Sequence, residues 1–315
     1  WIVIVIIIGS LTTWVAAKGY TMVSKAANWM SPIIILSFLA CGIVAVSRLE
    51  INSFSDFISI WGNGSKPFPG QIKYTFWHVF FWSWFCNAAM HIGMSDLSIF
   101  RYAKSSASGW TTAAGMYIGH YLAWVSACLL YALYLKTPEA EELIAMGSVP
   151  PVAPGPLAYN AIGWFGIIAV ILAGWTTANP TIYRSGLAFQ AILPKWSITK
   201  STALAGIIST IAGIFPAFAM KLLDFVAVYG FILAPVGAVI VFEYYFFNKY
   251  GLMKNYAEKN NLGFNKAVFF AWLISFITFF GLSKFQGIFL SFLTLPAWIF
   301  CGILYILLCK FFHEK

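Results

Sequence analysis

Apolar runs of membrane-crossing length follow one another along this sequence with only short polar punctuation between them, and that pattern leaves few folds open. The stretch PIIILSFLACGIVAV at 32–46 carries no charge at all. About 20 apolar residues in a helix cross a hydrocarbon layer about 30 Å thick, and a lipid-embedded helix pairs its own backbone N–H and C=O groups. A length of 315 residues would otherwise suggest one or two soluble domains. Only 9% of the residues are charged and 61% are hydrophobic, whereas a soluble chain draws on roughly 25% charged residues to cover its surface. The expected fold class is therefore an all-α polytopic membrane protein.

Other classes fall with that reading. The formal charge of +9 is not gathered into a basic patch or helix, so nucleic acid is not an expected partner. The five cysteines, Cys41, Cys86, Cys128, Cys301 and Cys309, all lie in apolar runs without a closely spaced pair. They read as small hydrophobes, not as zinc ligands or a disulfide framework. Trp1 stands inside an apolar run with neither Met nor a positive n-region, so this is no signal peptide, and a longer protein is expected upstream.

Gly, Pro and charge clusters punctuate nine expected spans, at 1–19, 27–47, 73–99, 110–135, 157–186, 201–220, 223–247, 266–283 and 287–310. The third and fifth exceed a straight crossing, which implies tilt, a break or an extension beyond the bilayer. Orientation follows the lysines and arginines near span ends. Alternate gaps and the tail hold thirteen of them (Lys18, Lys25, Arg101, Lys104, Arg184, Lys195, Lys200, Lys249, Lys254, Lys259, Lys266, Lys310 and Lys315), and the remaining gaps hold six. The richer side, with the C-terminus, is expected to be cytoplasmic. The acidic run at 139–142 and the Asn63-Gly64-Ser65 sequon fall on the other side.

Three spans carry residues that suit a binding site. The third reads FWHVFFWSWFCNAAMHIGMSDLSIFRYAK, with Trp77, Trp82, Trp84, Asn87, His91 and Gly93 in one segment. Aromatic faces beside an amide suit a flat heteroaromatic ring, stacked and hydrogen-bonded in plane, although plain helix packing produces the same pattern. Asp96, Arg101 and Lys104 at its end fit a charged gate or simple anchoring. In the fifth, Gly174-Trp175-Thr176-Thr177-Ala178-Asn179-Pro180 interrupts an apolar run. Pro180 weakens the backbone ladder, and two hydroxyls with a freed carbonyl make a set of oxygens of the kind hard cations prefer. The competing reading has Thr176 and Thr177 bonded back to their own helix. The seventh holds Pro235 and Gly237 at a kink or hinge position, with Glu243 near its inner end, where an ionisable residue is a functional suspect. His120, in the fourth span, has no ligand partner at metal spacing and reads as a buried packing residue. Small-residue spacings such as Gly206 to Gly213 suit close helix contact. No nucleophile and base share a common depth, so an enzyme is not expected.

These segments carry a resemblance. Trp175-Thr176-Thr177-Ala178-Asn179-Pro180-Thr181-Ile182-Tyr183-Arg184-Ser185-Gly186-Leu187 resembles the WTT(N)-x-x-x-x-Y-x-x-G-L stretch in helix 8 of the nucleobase:cation symporter family, which includes cytosine, purine-cytosine, uracil, allantoin and hydantoin permeases. Ser98 to Lys104 is similar to its D-x-x-R-[YF] end of helix 6. Ala234-Pro235-Val236-Gly237 through Glu243-Tyr244 is similar to its P-x-x-G…DY in helix 10, with Glu243 in place of the Asp.

The resemblance implies a leucine-transporter-like five-plus-five inverted repeat with two extra C-terminal helices, of which this chain would hold helices 4 to 12. Residues 1–47 would then be the last two helices of the first repeat, 73–247 the second repeat, and 266–310 the accessory pair. It implies symport of a nucleobase or related heterocycle, such as cytosine or a purine, with Na⁺ or H⁺ as coupling ion and no other cofactor. The protein would be a monomer in contact with membrane lipid, in the cell membrane. The carbonyl of Ala173 and the hydroxyls of Thr176 and Thr177 would bind sodium. Trp84, Phe85 and Asn87, with Ala178 and Asn179, would face the substrate; Ala178 occupies the position of a family amide. A same-fold carrier for an amino acid or vitamin, a channel, and a non-transporting membrane fragment stay open beside this reading.

Overall fold

In the computed structural model the described residues are 2–60, 67–68, 72–90, 97–215 and 222–313, with the side chains of 87–90, 222–227 and 313 left aside. The described residues form helices: α1 (Ile2–Ala17), α2 (Tyr20–Arg48), α3 (Phe54–Ile60), α4 (Phe76–Met90), α5 (Leu97–Phe100), α6 (Ala107–Tyr134), α7 (Pro138–Ala145), α8 (Pro154–Ile162), α9 (Trp164–Ile192), α10 (Ile198–Gly213), α11 (Leu222–Phe246), α12 (Tyr256–Lys259), α13 (Lys266–Gln286) and α14 (Leu290–His313). Among the described residues, six helices are long and apolar enough to cross a membrane: α2, α6, α9, α11 with the 3₁₀ turn after it, α13 and α14. The protein is a multi-pass, all-α membrane protein.

The other three expected spans, 1–19, 73–99 and 201–220, correspond to α1, α4 and α10, of 16, 15 and 16 residues. At 1.5 Å per residue α10 reaches about 24 Å, short of the hydrocarbon thickness, whereas α1 begins and α4 ends at the limit of the described residues. Two of them have defined end signals, and α10 starts before its expected span and ends at Gly213, short of residue 220. Gly19, at φ 85°, turns the chain between α1 and α2, and Ser197 accepts a hydrogen bond from the Lys200 N–H to start α10. The fifth expected span, 157–186, is divided at Gly163. Its φ of 64° suits glycine, and it closes α8 and opens α9.

Packing divides the chain into two compact units, 1–73 with 103–215, and 74–102 with 216–315. In the first, α1 and α10 run antiparallel through a reciprocal contact. Gly206 lies against the Thr13 side chain and Gly9 against Thr210. The Thr13 hydroxyl donates to the Gly9 carbonyl at 2.7 Å, and that of Thr210 to the Gly206 carbonyl at 2.8 Å. Each glycine thus admits the hydroxyl side chain whose helix partner it faces, the small-residue approach that membrane helices use. Gly206→Ala puts a methyl group into Thr13, and overpacking of this kind costs about 1–3 kcal/mol. Thermal unfolding in detergent should show the loss, and the added change Thr13→Gly should recover part of it.

The same unit packs α2, α6 and α8 around Cys41, Ala45, Leu129 and Leu157. Ser126 on α6 donates to the Phe38 carbonyl on α2 at 2.9 Å. Outside the spans, α3 opens with a capping box: Asp56 N–H donates to the Ser53 hydroxyl at 3.1 Å, and the Asp56 carboxylate accepts from Ser53 N–H at 2.8 Å and Asn52 N–H at 3.0 Å. The Ser53 side chain and these backbone groups hold the Asp56 carboxyl below the usual carboxylate range. The native pKa is the lower one, so the cap is intact above the unfolded-state value and fails as pH falls through the native value. Amide exchange at Asn52 and Ser53, corrected for its intrinsic pH dependence, should lose protection in that acidic window, and Asp56→Asn should abolish the pH dependence.

In the second unit, α4, α11, α13 and α14 enclose Phe85, Phe231, Leu293 and Ala297. A second cluster, with Ala238, Ala271, Cys301 and Tyr305, lies between α11, α13 and α14. The Trp272 indole on α13 donates to the Ile232 carbonyl at 2.8 Å, three residues before Pro235.

Candidate functional site

The third, fifth and seventh spans each keep their polar residues in a distinct setting. On α9 the helix continues through Pro180 from Trp164 to Ile192. Proline removes the donor that would serve the carbonyl four residues back, which here is the Thr176 carbonyl. The expected local break is absent, and hydroxyl side chains bond back to carbonyls of the same helix on both sides of the proline. Thr176 and Thr177 both donate to the Ala173 carbonyl, at 2.9 and 3.1 Å. The oxygens of Ala173, Thr176 and Thr177 therefore lie on one turn, bonded within their own helix as the competing reading of this pair has it, in place of the expected freed carbonyl.

The hydroxyl series runs on beyond the expected set. Thr181 donates to the Thr177 carbonyl at 2.8 Å and Ser185 to the Thr181 carbonyl at 2.9 Å. The Arg184 guanidinium donates to the Thr181 hydroxyl at 3.1 Å. Gly174, Thr177 and Thr181 are exposed, and Ser185 is partly so. The i, i+4, i+8 spacing of Thr177, Thr181 and Ser185 was the signal in the sequence for this stripe, and attention to Thr176-Thr177 alone passes over its lower half.

Ala178 and Asn179 go different ways, since successive helical residues point about 100° apart. Ala178 is half-buried beside the exposed stripe. Asn179 is 1% exposed, on the side of α9 whose Ile182 and Tyr183 pack against Val15 and Ala16 of α1. Neither its amide nitrogen nor its oxygen has a hydrogen-bond partner among the described residues.

The aromatic candidates belong to the other unit. Phe85 is 1% exposed in the core formed with Phe231 and Leu293, its ring 5.4 Å from that of Trp82. Trp84 meets Trp298 edge-on at 6.3 Å, and both indole N–H groups are buried without a partner among the described residues. Asn87 lies on α4, its side chain outside the described residues, and His91, Gly93, Asp96 and the sequon at 63–65 lie outside them altogether. Trp77 is exposed, as an interfacial tryptophan would be. His78 accepts from the Thr75 N–H at 3.1 Å at the start of α4.

Glu243 has a structural employment. The Tyr305 hydroxyl on α14 donates to one carboxylate oxygen at 2.6 Å, and the Asn255 N–H donates to the other at 2.7 Å. The carboxylate thereby ties the turn after α11 to α14, and Lys254 beside it donates to the Tyr244 carbonyl at 2.7 Å. His120, expected to be buried, is exposed and stacks on Trp124 at 5.6 Å with planes 3° apart. Cys128 is likewise exposed, while Cys41, Cys301 and Cys309 are buried free thiols. Among the described residues no group of three or more His, Cys, Asp or Glu could hold a metal ion, a search that does not address sites made of hydroxyl and carbonyl oxygens.

No protein-family model matches the chain, and no curated protein or solved structure matches it either.

Proposed function

We propose that the protein is a secondary active transporter that carries a nucleobase or related heterocycle, such as cytosine or a purine, in symport with a cation, Na⁺ or H⁺. The observation that carries this reading is the convergence of the Ala173 carbonyl with the Thr176 and Thr177 hydroxyls on a membrane-spanning helix. Below that turn, α9 exposes further hydroxyls along one side. A hard cation takes neutral oxygens of this kind. Exposed polar groups at membrane depth belong beside water, an ion path or protein, not hydrocarbon. Three oxygens from one turn supply one side of a coordination shell, with the remainder coming from another helix. The motif around them resembles that of the nucleobase:cation symporters, and this supports the choice of substrate class, the five-plus-five repeat with two accessory helices, and the monomeric state.

In this reading the substrate is met by Trp84, Phe85 and Asn87 and by Ala178 and Asn179. For buried Phe85 and Asn179 that contact needs a rearrangement, which alternating access provides. The excess of lysine and arginine on one side supports a cytoplasmic C-terminus. The protein moves its substrate without changing it chemically.

The test is uptake into proteoliposomes that contain the full-length protein, with radiolabelled cytosine, adenine, uracil, allantoin or hydantoin. An inward Na⁺ gradient, a K⁺ gradient of the same size and an inward proton gradient separate the coupling ions. Uptake of one base, driven by Na⁺ or protons and blocked by unlabelled base, is the expected result. Competition by amino acids or thiamine instead of bases would move the protein to another solute class, and absence of any solute-dependent uptake would overturn the transport reading.

A further inference from the structure

At the end of α2 and α6 a concave pocket of about 440 Å³ is walled by two cations, Arg48 and Lys136, over a floor that includes Leu130, Leu133 and Leu157. All of it lies within the first compact unit. Arg48 is the last residue of α2, and Tyr134, also on the wall, is the last of α6. Both helices have the length and apolarity to span the bilayer, so their ends set the pocket at the boundary between hydrocarbon and headgroups.

Among the described residues the Arg48 guanidinium makes one hydrogen bond, from Nη1 to the Asn160 carbonyl at 2.6 Å, with the rest of its donor fork unused there. Among the described residues no carboxylate pairs with Arg48 or Lys136. The acidic residues that open α7, Glu139 and Glu141, do not line the pocket. Two unpaired cations on a concave apolar floor suit an anion that carries a hydrocarbon tail. A guanidinium and an ammonium on the wall of one pocket can both serve a phosphate, and a pocket at helix ends on the headgroup boundary, here on the side poorer in lysine and arginine, is reached by a lipid phosphate.

We propose that this pocket is a binding site for one anionic glycerophospholipid, its phosphate between Arg48 and Lys136 and an acyl chain against Leu130, Leu133 and Leu157. A soluble anion would gain nothing from that floor, and a zwitterionic lipid would bring its own cation toward the two already there. The site is independent of which solute the protein carries.

Native mass spectrometry and thermal unfolding of the delipidated full-length protein test the proposal, with phosphatidylglycerol, phosphatidylcholine of the same acyl chains, and inorganic phosphate as probes. Phosphatidylglycerol should remain bound as a single copy and raise the unfolding temperature, while the other two should do neither. The double variant Arg48→Gln/Lys136→Gln should bind phosphatidylglycerol at least ten-fold more weakly. Lys136→Gln alone, which leaves the Arg48–Asn160 bond intact, should lose part of that affinity without lowering the unfolding temperature of the lipid-free protein. Equal effects of the two lipids, or undiminished binding by both variants, would overturn the assignment. Stabilisation by inorganic phosphate alone would make this a soluble-anion site and overturn the lipid.

Discussion

Thr177→Ala is expected to leave the fold intact and to raise the Na⁺ concentration for half-maximal uptake at least ten-fold. The Thr177 hydroxyl is exposed and donates only to its own helix, to a carbonyl that Thr176 also serves. Alanine is the best helix former, so folding loses little and a change in unfolding temperature should be small. In the proposed site, by contrast, one of three oxygens from α9 disappears. A charge-assisted contact to a cation is worth about 1.5–3 kcal/mol, which corresponds to a ten-fold or larger loss of affinity.

Because coupling is reciprocal, substrate binding at saturating Na⁺ should be nearly unchanged, while uptake at low Na⁺ falls steeply. Thr177→Ser keeps the oxygen and should retain most of the response, and Thr177→Val keeps the shape without it and should behave as alanine does. If removal of Na⁺ and all three substitutions leave uptake unaltered, sodium has no part in the cycle. Dependence on a proton gradient would then identify the coupling ion.

The membrane class and most helix positions were legible because they rest on composition and length, quantities that lipid constrains more severely than water does. What escaped depends on local competition. Pro180 reads as a break from its own chemistry, yet Thr176, Thr177 and Thr181 lie within reach of nearby carbonyls and α9 stays continuous. The start of α10 was set by the Ser197 cap, ahead of the apolar residues from which its span is read, and the turn after α1 by Gly19. Glu243 reads only as an ionisable residue near a span end, because no sequence rule pairs it with Tyr305, 62 residues on. The bonds of Thr176 and Thr177 to the Ala173 carbonyl were legible as the competing back-bonded reading, since i, i+3 and i, i+4 neighbours meet on any helix. Asn179 was legible as a polar residue in a span, but its direction was not. Only the packing of Ile182 and Tyr183 against α1 fixes which side of α9 is buried.

That buried amide gives the sharpest contrast between folding and transport. Asn179→Leu should raise the unfolding temperature of the purified protein and reduce uptake by at least a hundred-fold. In the folded state both polar atoms of Asn179 are buried without a hydrogen-bond partner among the described residues, and each unsatisfied group of this kind costs about 1–3 kcal/mol. Leucine has nearly the same shape and removes both, so the α1–α9 contact should tighten. A residue retained only for packing would make the variant better in every respect. An amide whose partners arrive when α9 is uncovered would make it stable and inactive, a trade that active sites commonly show. Asn179→Asp separates polarity from the amide donor: it should keep neither the stability gain nor the uptake, because a buried carboxylate needs a partner that the site does not offer. A stabilised Asn179→Leu protein with uptake at the parental rate would remove Asn179 from the substrate site and leave Thr176 and Thr177 as the part of α9 that the transport reading rests on.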